Sequence, residues 1–416
     1  MLEGEIITAG FKSGGHDMNM INKKISMQTT ILATMFLTTT LFVQHPVVLA
    51  EGETVTVRDS GAKFSIAGYR EGHKDHKWQE QTIALDSGKK CYTLKYRSCV
   101  DPSHPGVRAN EEGYIGMPTP SSANWYHSGF FFITINGKDI GEAPLIDMRV
   151  TETGARGACH MVWDTPDATV RVQFLLANGS DHLLSDVSWT AKPGKKVESV
   201  NVRLNCYPSY FTSHNRRQGD RTVITPRIEK HETTAFDLVP NEDLYLLYLD
   251  GVFDVAKGEG DGPCAMLFLP EEIASGKINI SNYPVGTSLK AAPTAKRLRF
   301  AFWDLSGMTN AVAKTYFKDN VSRLQQELRQ VEFLPESILY FNSVTAKAET
   351  DKLIADAKED GVSLKAKVTE LLKKMTELKT KAEANDWSAA AEFAKAQPEF
   401  EALMWKLRIY ALLNTP

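Results

Sequence analysis

The sequence predicts a mainly β protein: a large antiparallel two-sheet β-sandwich followed by a C-terminal α-helical hairpin or small bundle. Runs that alternate apolar and polar residues recur from about residue 53 to residue 304, and this period of two is typical of strands with one buried face. After Gly307 the apolar spacing becomes helical. The chain therefore divides into an N-terminal extension with a signal peptide (1–50), a β-sandwich domain (51–306) and a helical region (307–416).

Several of the predicted strands are long. The runs ATVRVQFLLANG (168–179) and KRLRFAFWDL (296–305) exceed the usual strand length of about five or six residues. Asn136–Gly137 and Asn178–Gly179 are typical of tight hairpin turns. Long strands joined by such turns predict large, curved sheets.

The helical region begins with a stretch of helical spacing at 310–330. An apolar seam follows with the alternating steps of four and three that define a heptad: Leu364, Val368, Leu371, Met375, Leu378 and Ala382. Asn385 and Asp386 interrupt the pattern, and Pro398 is well placed to open a last helix that ends near Leu413. The seam either packs within the chain or pairs two chains, which would make a homo-oligomer.

The first fifty residues predict an export signal. A short cationic start at 22–24 precedes a largely apolar stretch at 25–43, and small residues at Val48 to Ala50 occupy the positions that a signal peptidase reads. Translation then begins at Met1, or later at Met18 or Met20. An uncleaved membrane anchor is the alternative, since the apolar stretch approaches the ~18 residues that span a bilayer. Cleavage predicts a secreted, periplasmic or cell-surface protein that is not integral to the membrane.

Charge and cysteine content exclude some classes of function. The formal net charge of −3 lacks the basic excess that non-specific nucleic-acid binding requires, so nucleic acid is excluded as a partner. The five cysteines match no zinc spacing. Cys91 and Cys99 lie roughly 26 Å apart on one predicted strand, too far for a disulfide. We expect most of the thiols to be buried and unpaired.

The order of long strands at 167–184, 196–211 and 221–229 resembles the large sandwich of galactose-mutarotase-like domains, which recur in secreted bacterial carbohydrate-active proteins. The resemblance covers roughly residues 60–305 and includes no family-specific motif. It implies a sugar-facing role and assigns no catalytic residue.

The stretch HNRRQGDR (214–221) places three arginines on a connection between two predicted strands, where binding residues are often mounted. Arginine binds carboxylates and sulfates in bidentate fashion, which suits an acidic polysaccharide. His214 is also a candidate for proton transfer. The alternative is a solvated loop whose arginines pair with Asp220. The predicted ligand-binding residues of this region are Tyr207, Tyr210, His214, Arg216, Arg217 and Arg221.

The connection at 100–128 is long for a compact domain, and such connections are often lids or binding loops. It ends in Trp125, Tyr126 and His127. Aromatic rings on a loop predict a platform for the apolar face of a sugar. In the alternative, Trp125 and Tyr126 begin the next strand and belong to the core.

The acidic stretch at 250–262 holds Asp250, Asp254 and Asp261, whose oxygens are suitable ligands for calcium. The spacing differs from that of an EF-hand loop, so a glycine-rich hairpin tip is the simpler interpretation and no cofactor is predicted. Cys159 and His160 are adjacent, but neighbours on a strand point to opposite faces, so they predict no nucleophile and base pair.

These features predict an exported protein that binds carbohydrate, with acidic polysaccharide favoured by the arginines. One alternative is a glycosidase or polysaccharide lyase on the same scaffold, with His214 in proton transfer and the arginines neutralising a uronate. Another is a non-catalytic envelope protein that acts through its helical tail.

Overall fold

The computed structural model describes residues 54–66, 77–99, 113–119, 124–125, 129–208, 220–251, 262–282, 284–384 and 386–414. Two antiparallel sheets are stacked against each other in these ranges, and helices follow them. The predicted fold class is confirmed.

The first sheet has eleven strands within the described ranges, in the order β1-β3-β4-β5-β6-β12-β19-β18-β15, with β2 paired to β3 and β7 paired to β6. Its strands are β1 (Thr56–Asp59), β2 (Lys63–Ile66), β3 (Lys77–Asp86), β4 (Cys91–Cys99), β5 (Tyr114–Thr119), β6 (Phe131–Ile135), β7 (Lys138–Asp139), β12 (Val200–Cys206), β15 (Thr234–Leu238), β18 (Ile273–Ile280) and β19 (Val285–Ala291).

The second sheet has nine strands in the described part of the chain, in the order β14-β13-β16-β17-β20-β11-β10-β9-β8. Its strands are β8 (Leu145–Glu152), β9 (Arg156–Asp164), β10 (Ala168–Ala177), β11 (His182–Ala191), β13 (Arg221–Ile224), β14 (Glu229–His231), β16 (Tyr245–Asp250), β17 (Cys264–Phe268) and β20 (Arg297–Asp304).

The Asn136–Gly137 hairpin is confirmed. Ile135 pairs with Lys138 across a two-residue turn, and both turn residues have positive φ, 51° for Asn136 and 80° for Gly137. A two-residue turn with that geometry matches the right-handed twist of the flanking strands, and asparagine followed by glycine adopts it at low cost. The turn therefore fixes the register between β6 and β7.

The main core lies between the two sheets and is built from inward-facing positions of long strands. Phe131 of the first sheet contacts Phe174, Phe300 and Phe302 of the second, at ring-centroid distances of 6.2, 5.7 and 5.9 Å. Tilted ring pairs at these distances add to the stabilisation from apolar burial. The facing aromatic rings hold the two sheets together at this level.

The helices are α1 (Asn310–Gln330), α2 (Glu336–Tyr340), α3 (Ser343–Asp356), α4 (Lys358–Glu383) and α5 (Trp387–Asn414). Thr309 caps α1 by accepting a hydrogen bond from the amide of Val312. The apolar face of α1, including Phe317 and Leu328, packs on the outer face of the nine-stranded sheet. Strands give way to helices close to the predicted boundary at 306, but α1 shares its core with the sandwich, and the separate bundle core begins only at Leu334.

The heptad seam packs within the chain. Val368, Met375 and Leu378 of α4 are buried against α5, whose core residues include Phe393 and Leu407. The intramolecular alternative is therefore the one observed, and the seam provides no support for an oligomer.

Pro398 lies inside α5 and does not open a new helix, which corrects the predicted helix start. Proline removes one backbone hydrogen bond from a helix interior. Phe393 and Phe400, on either side of it, are buried and both contact the ring of Phe341, so the two halves of the helix share one core and the helix continues.

Arginines on the outer face of the nine-stranded sheet hold the connection between α1 and α2. Arg299 donates to the carbonyls of Leu328 and Arg329, Arg156 donates to the carbonyl of Glu332 at 2.6 Å, and Arg171 donates to the carbonyl of Leu334 at 3.3 Å. Carbonyls in the last turn of a helix, such as those of Leu328 and Arg329, and in the non-helical segment that follows lack intrahelical partners and need donors when they are covered. The arginines supply these donors and fix the helical tail to the sandwich.

All five cysteines are described, and each is a thiol in this structure; Cys91 is half-buried and the others are buried. Cys91 and Cys99 lie at opposite ends of β4, as predicted. Of the helices in the described ranges, none is both long and apolar enough to cross a bilayer.

Candidate functional site

Trp125 lies in the core, which corrects its predicted role as a sugar platform. Its side chain is 0% exposed, and its ring contacts Phe130, Tyr248 and Phe302. The backbone forms an isolated bridge with Cys206, and the indole nitrogen donates to the carbonyl of Trp303 at 3.0 Å. A ring enclosed on all sides has no face for a sugar. Tyr126 and His127 lie outside the described residues.

Two predicted contacts near the arginine-rich stretch are also buried. Tyr207 lies in the core, and Arg221 is 1% exposed, with its guanidinium donating to Glu232 and to the carbonyl of Asn282, both at 3.1 Å. These contacts make Arg221 an internal residue that joins β13 to neighbouring segments, so it is not available to a glycan. Tyr210, His214, Arg216 and Arg217 lie outside the described residues.

Asp250, the first candidate calcium ligand, is buried at the end of β16 and faces Arg221 across the β13–β16 pair. Its carbonyl accepts a hydrogen bond from Asn310 at 2.9 Å. Asp254 and Asp261 lie outside the described residues. Among the residues that are described, no cluster of three or more metal-binding side chains occurs.

The described ends of the two candidate binding loops are adjacent. Asn124 lies near the end of the 100–128 connection, and its carbonyl accepts a hydrogen bond at 3.2 Å from the amide of Tyr207, which precedes the arginine-rich stretch. Asp220, the last residue but one of that stretch, accepts a hydrogen bond on its carbonyl from the amide of Gly251 at 2.8 Å. The core thus anchors these connections at neighbouring positions.

A continuous row of polar and aromatic residues crosses the outer face of the eleven-stranded sheet. Cross-strand pairing aligns each member with the next, and Phe132 follows Tyr114 because Ile115 pairs with Phe131. From Arg97 to Asp237 each member has a sequence neighbour in the core, and Glu80 lies on the side of β3 opposite Ile83 and Leu85, so the members face outward. We name this set the outer row, in sheet order: Glu80, Arg97, Tyr114, Phe132, Arg203, Ser288, Lys277 and Asp237.

Two arginines on this face stack on aromatic rings. The Cζ atom of Arg97 lies 4.7 Å from the centroid of Trp78, and that of Arg203 lies 4.4 Å from the centroid of Phe132. Stacking on a ring fixes the plane of a guanidinium, and its N–H donors, which lie in that plane, remain able to form hydrogen bonds. Trp78 and Arg97 are buried, whereas Arg203 is exposed on a half-buried Phe132, so the second pair combines an apolar surface with an accessible, oriented cation.

The outer row changes from buried to open along its length. Arg97 and Tyr114 are buried, Phe132 is half-buried, and the members from Arg203 to Asp237 are exposed. The open cleft beside Ser288, Lys277 and Asp237 measures ≈ 520 Å³, a volume typical of small-ligand sites. The end of the outer row from Arg203 to Asp237 therefore presents exposed hydrogen-bond donors and acceptors on regular strands.

The sequence shows the strands of this face without revealing the outer row. Alternation in YTLKYR and NVRLNC indicates that Arg97 and Arg203 lie on the polar side of their strands. Only the pairing of β4, β5, β6 and β12 brings them into one line with Tyr114 and Phe132. The available signal was the presence of arginine and aromatic residues at outward positions of several strands.

A second polar cluster lies on the outer face of the nine-stranded sheet. His160 accepts a hydrogen bond on Nδ1 from Arg171 at 3.1 Å, and its Nε2 lies 2.8 Å from Asp147. Because arginine only donates, the neutral imidazole carries its proton on Nε2 and donates to Asp147. Tyr340 also donates to Asp147, at 3.1 Å. The cluster joins α2 to β8 and β9.

Two buried histidines are expected to titrate in opposite directions. Burial and the positive charge of Arg171 lower the pKa of His160 to about 4, against the effect of Asp147. Burial also opposes the protonation of His182, but hydrogen bonds to Asp181 and Glu327 outweigh it and raise its pKa. Between these two pKa values, the folded protein holds His182 charged and His160 neutral.

We therefore expect a pH titration followed by NMR of the imidazole protons to give a midpoint above 6.5 for His182 and near 4 for His160. The His182 contribution to stability is present below pH ~6.5 and is lost as the pH rises through its folded pKa. The His160 contribution is opposite: stability falls as the pH drops from ~6.5 towards 4, because only the unfolded chain takes up the proton. His182→Gln and His160→Gln assign the two signals, and equal midpoints near 6.5 would contradict both environments.

No protein-family model matches the sequence, and no curated protein is significantly similar to it. Among solved structures, the chain is similar to the α-N-acetylgalactosaminidase NagBb from Bifidobacterium bifidum, with 11% identity, a TM-score of 0.35, and coverage of 67% of this chain and 41% of that one. It is also similar to the GH36 α-galactosidase AgaA from Geobacillus stearothermophilus in complex with stachyose, with 10% identity, a TM-score of 0.34, and coverage of 65% and 48%.

A YidC insertase is a further structural neighbour, with 12% identity, a TM-score of 0.25, and coverage of 77% of this chain and 60% of that chain. The protein spans less than half the length of the two glycosidase chains. At these identities and TM-scores, the overlaps place the chain in no family.

Proposed function

We propose that the protein is exported and binds carbohydrate, with a preference for acidic polysaccharide, on the outer face of its eleven-stranded sheet. The observation that supports this proposal is the exposed end of the outer row, where Arg203, stacked on Phe132, leads to an open cleft beside Ser288, Lys277 and Asp237. Rings cover the apolar faces of sugars, and arginines bind uronates or sulfates. The apolar stretch at 25–43 supports export to the periplasm, the cell surface or the medium.

The charge of this face agrees with an acidic ligand. Lys95, Arg97 and Arg203 lie on it together with Glu80 and Asp86, and the cleft is lined by Lys277, Lys290 and Asp237. Lys95 pairs with Glu80 at 2.8 Å, so these two charges offset each other. A carboxylated or sulfated chain laid across the strands would meet these cations in sequence.

Binding of purified residues 51–416 to acidic and neutral polysaccharides at two salt concentrations tests the proposal. We expect binding to acidic glycans that weakens as salt rises, because exposed charges are screened. Arg203→Ala is expected to weaken binding by at least about 10-fold, or ~1.4 kcal/mol. Arg323→Ala on α1 is the control, since both arginines are exposed but Arg323 lies on a helix outside the outer row.

A double variant, Arg216→Ala with Arg217→Ala, separates the sheet face from the arginine-rich loop. Loss of binding in this variant alone would move the site from the outer row to the loop. Absence of binding to every glycan by the folded wild type would contradict the proposed function itself.

A further inference from the structure

Two buried cysteines meet between the sheets. Cys206 is the last residue of β12 in the eleven-stranded sheet, and Cys264 is the first residue of β17 in the nine-stranded sheet. Their side chains are 1% and 0% exposed. The carbonyl of Asn124 accepts both the amide of Tyr207, at 3.2 Å, and the thiol of Cys264, at 3.9 Å. Both cysteines therefore lie next to the carbonyl of Asn124, at the same end of the sandwich.

The two thiols are direct neighbours. The Cys206 thiol donates to the carbonyl of Val285 at 3.8 Å, and burial together with the neighbouring Cys206 side chain raises the pKa of Cys264. Tyr248 lies beside both sulfurs and bonds to Thr287 through its hydroxyl at 2.8 Å. Trp125 packs on Tyr248 and pairs with Cys206 through its backbone. The surrounding rings leave the pair enclosed in the core.

The remaining cysteines occupy other places in the fold. Cys91 pairs in register with Asp86, and Cys99 pairs with Trp78. Cys159 lies between Val150 and Phe174 on the nine-stranded sheet. Cys206 and Cys264 are therefore the pair that the topology brings together from different sheets.

We propose that Cys206 and Cys264 form a disulfide that joins the two sheets when the chain folds in an oxidising compartment. The proposal rests on the proposed export of the protein and is independent of carbohydrate binding. Two thiols lose two protons and two electrons and form one S–S bond, and a disulfide oxidant such as oxidised glutathione takes the electrons and becomes two thiols. One cysteine thiolate attacks the oxidant, releases one glutathione thiolate and forms a mixed disulfide. The second cysteine then displaces the second glutathione.

This exchange takes place before the sheets pack, because buried thiols with a raised pKa hold little reactive thiolate. The bond closes a loop of 58 residues, the difference between 264 and 206. A cross-link of that span restricts the unfolded chain and stabilises the folded one. It also fixes β12 against β17 at the end where Trp125 is buried.

The test is oxidative refolding of the full chain. The purified protein is unfolded with reductant, refolded in reduced and oxidised glutathione, quenched with acid, and alkylated under denaturing conditions. We expect two of the five cysteines to escape alkylation. Trypsin digestion without reductant is expected to join residues 204–216 to residues 258–277, with a mass two hydrogens lower than the sum of the two peptides.

Variants distinguish this bond from random oxidation. Cys206→Ala and Cys264→Ala are each expected to abolish the joined peptide, and Cys159→Ala, at another buried position, is expected to retain it. Reductant is expected to lower the melting temperature of the refolded wild type but not that of Cys206→Ala. Alkylation of all five thiols in the refolded wild type, or a joined peptide that contains any other cysteine, would overturn the proposal, and neither result requires a variant to fold.

Discussion

Replacing Trp125 with alanine is expected to lower the free energy of unfolding by about 3 to 5 kcal/mol. The side chain is fully buried, with ring centroids of Phe130, Tyr248 and Phe302 at 5.9, 5.8 and 5.2 Å. Its loss leaves a large cavity and removes the donor to the Trp303 carbonyl. Both effects act in the core between the sheets, where neighbouring side chains relax only partly.

Urea unfolding followed by circular dichroism measures this effect. Trp405→Ala is the matched control, because Trp405 on α5 is 62% exposed and its replacement is expected to change stability by less than about 1 kcal/mol. A small loss of stability in Trp125→Ala, accompanied by loss of glycan binding, would contradict the core position and restore the predicted platform. A large loss of stability with glycan binding retained in the folded fraction would confirm it.

The position of Trp125 shows what local sequence could not supply. The residue follows a stretch rich in proline and serine, which is typical of an exposed loop. Its burial depends on an isolated bridge to Cys206 and on rings from β16 and β20, far away along the chain. Periodicity over a few residues cannot report such contacts.

Where structure is decided locally, the sequence was sufficient. Alternation in the long strands predicted two antiparallel sheets, and the Asn136–Gly137 pair predicted its hairpin. The heptad spacing of α4 predicted an apolar seam, and pairing with α5 showed which surface it covers. The period of the apolar pattern indicates whether a segment is a helix or a strand. The segment against which it packs depends on the whole chain.

Charged residues were the hardest to place. Arg221 belongs to a stretch that looks solvated, yet it is buried against Glu232. Arg97 and Arg203 lie in unremarkable strands, yet pairing aligns them on one face of the sheet. A buried arginine needs partners that are distant in sequence, so its burial cannot be read from its neighbours.

Replacing Arg171 with methionine is expected to lower the free energy of unfolding by about 2 to 4 kcal/mol, because buried groups lose their partner. The Leu334 carbonyl and Nδ1 of His160 would each lose a donor. Burial raises the pKa values of Glu152 and Asp186, and the positive charge of Arg171 acts in the opposite direction. Both buried carboxylates would therefore lose a charge that stabilises their ionised form. Methionine keeps much of the volume of the arginine side chain, so the loss of stability reports the polar contacts rather than the packing.

Urea unfolding compares this variant with Arg408→Met. Arg408 contacts Glu349 at 2.7 Å, but both side chains are about half exposed, so its loss is expected to cost less than about 1 kcal/mol. The pKa of His160 is also expected to rise in Arg171→Met, because a nearby positive charge is removed. Limited proteolysis is expected to cut more readily at the connection between α1 and α2, because the Leu334 carbonyl loses its donor. If Arg171→Met costs no more than Arg408→Met and leaves the His160 midpoint unchanged, then Arg171 does not hold the helical tail on the sandwich. If the pKa rises while the connection stays resistant to protease, Arg299 and Arg156 are sufficient to hold the tail, and the role of Arg171 is confined to the His160 cluster.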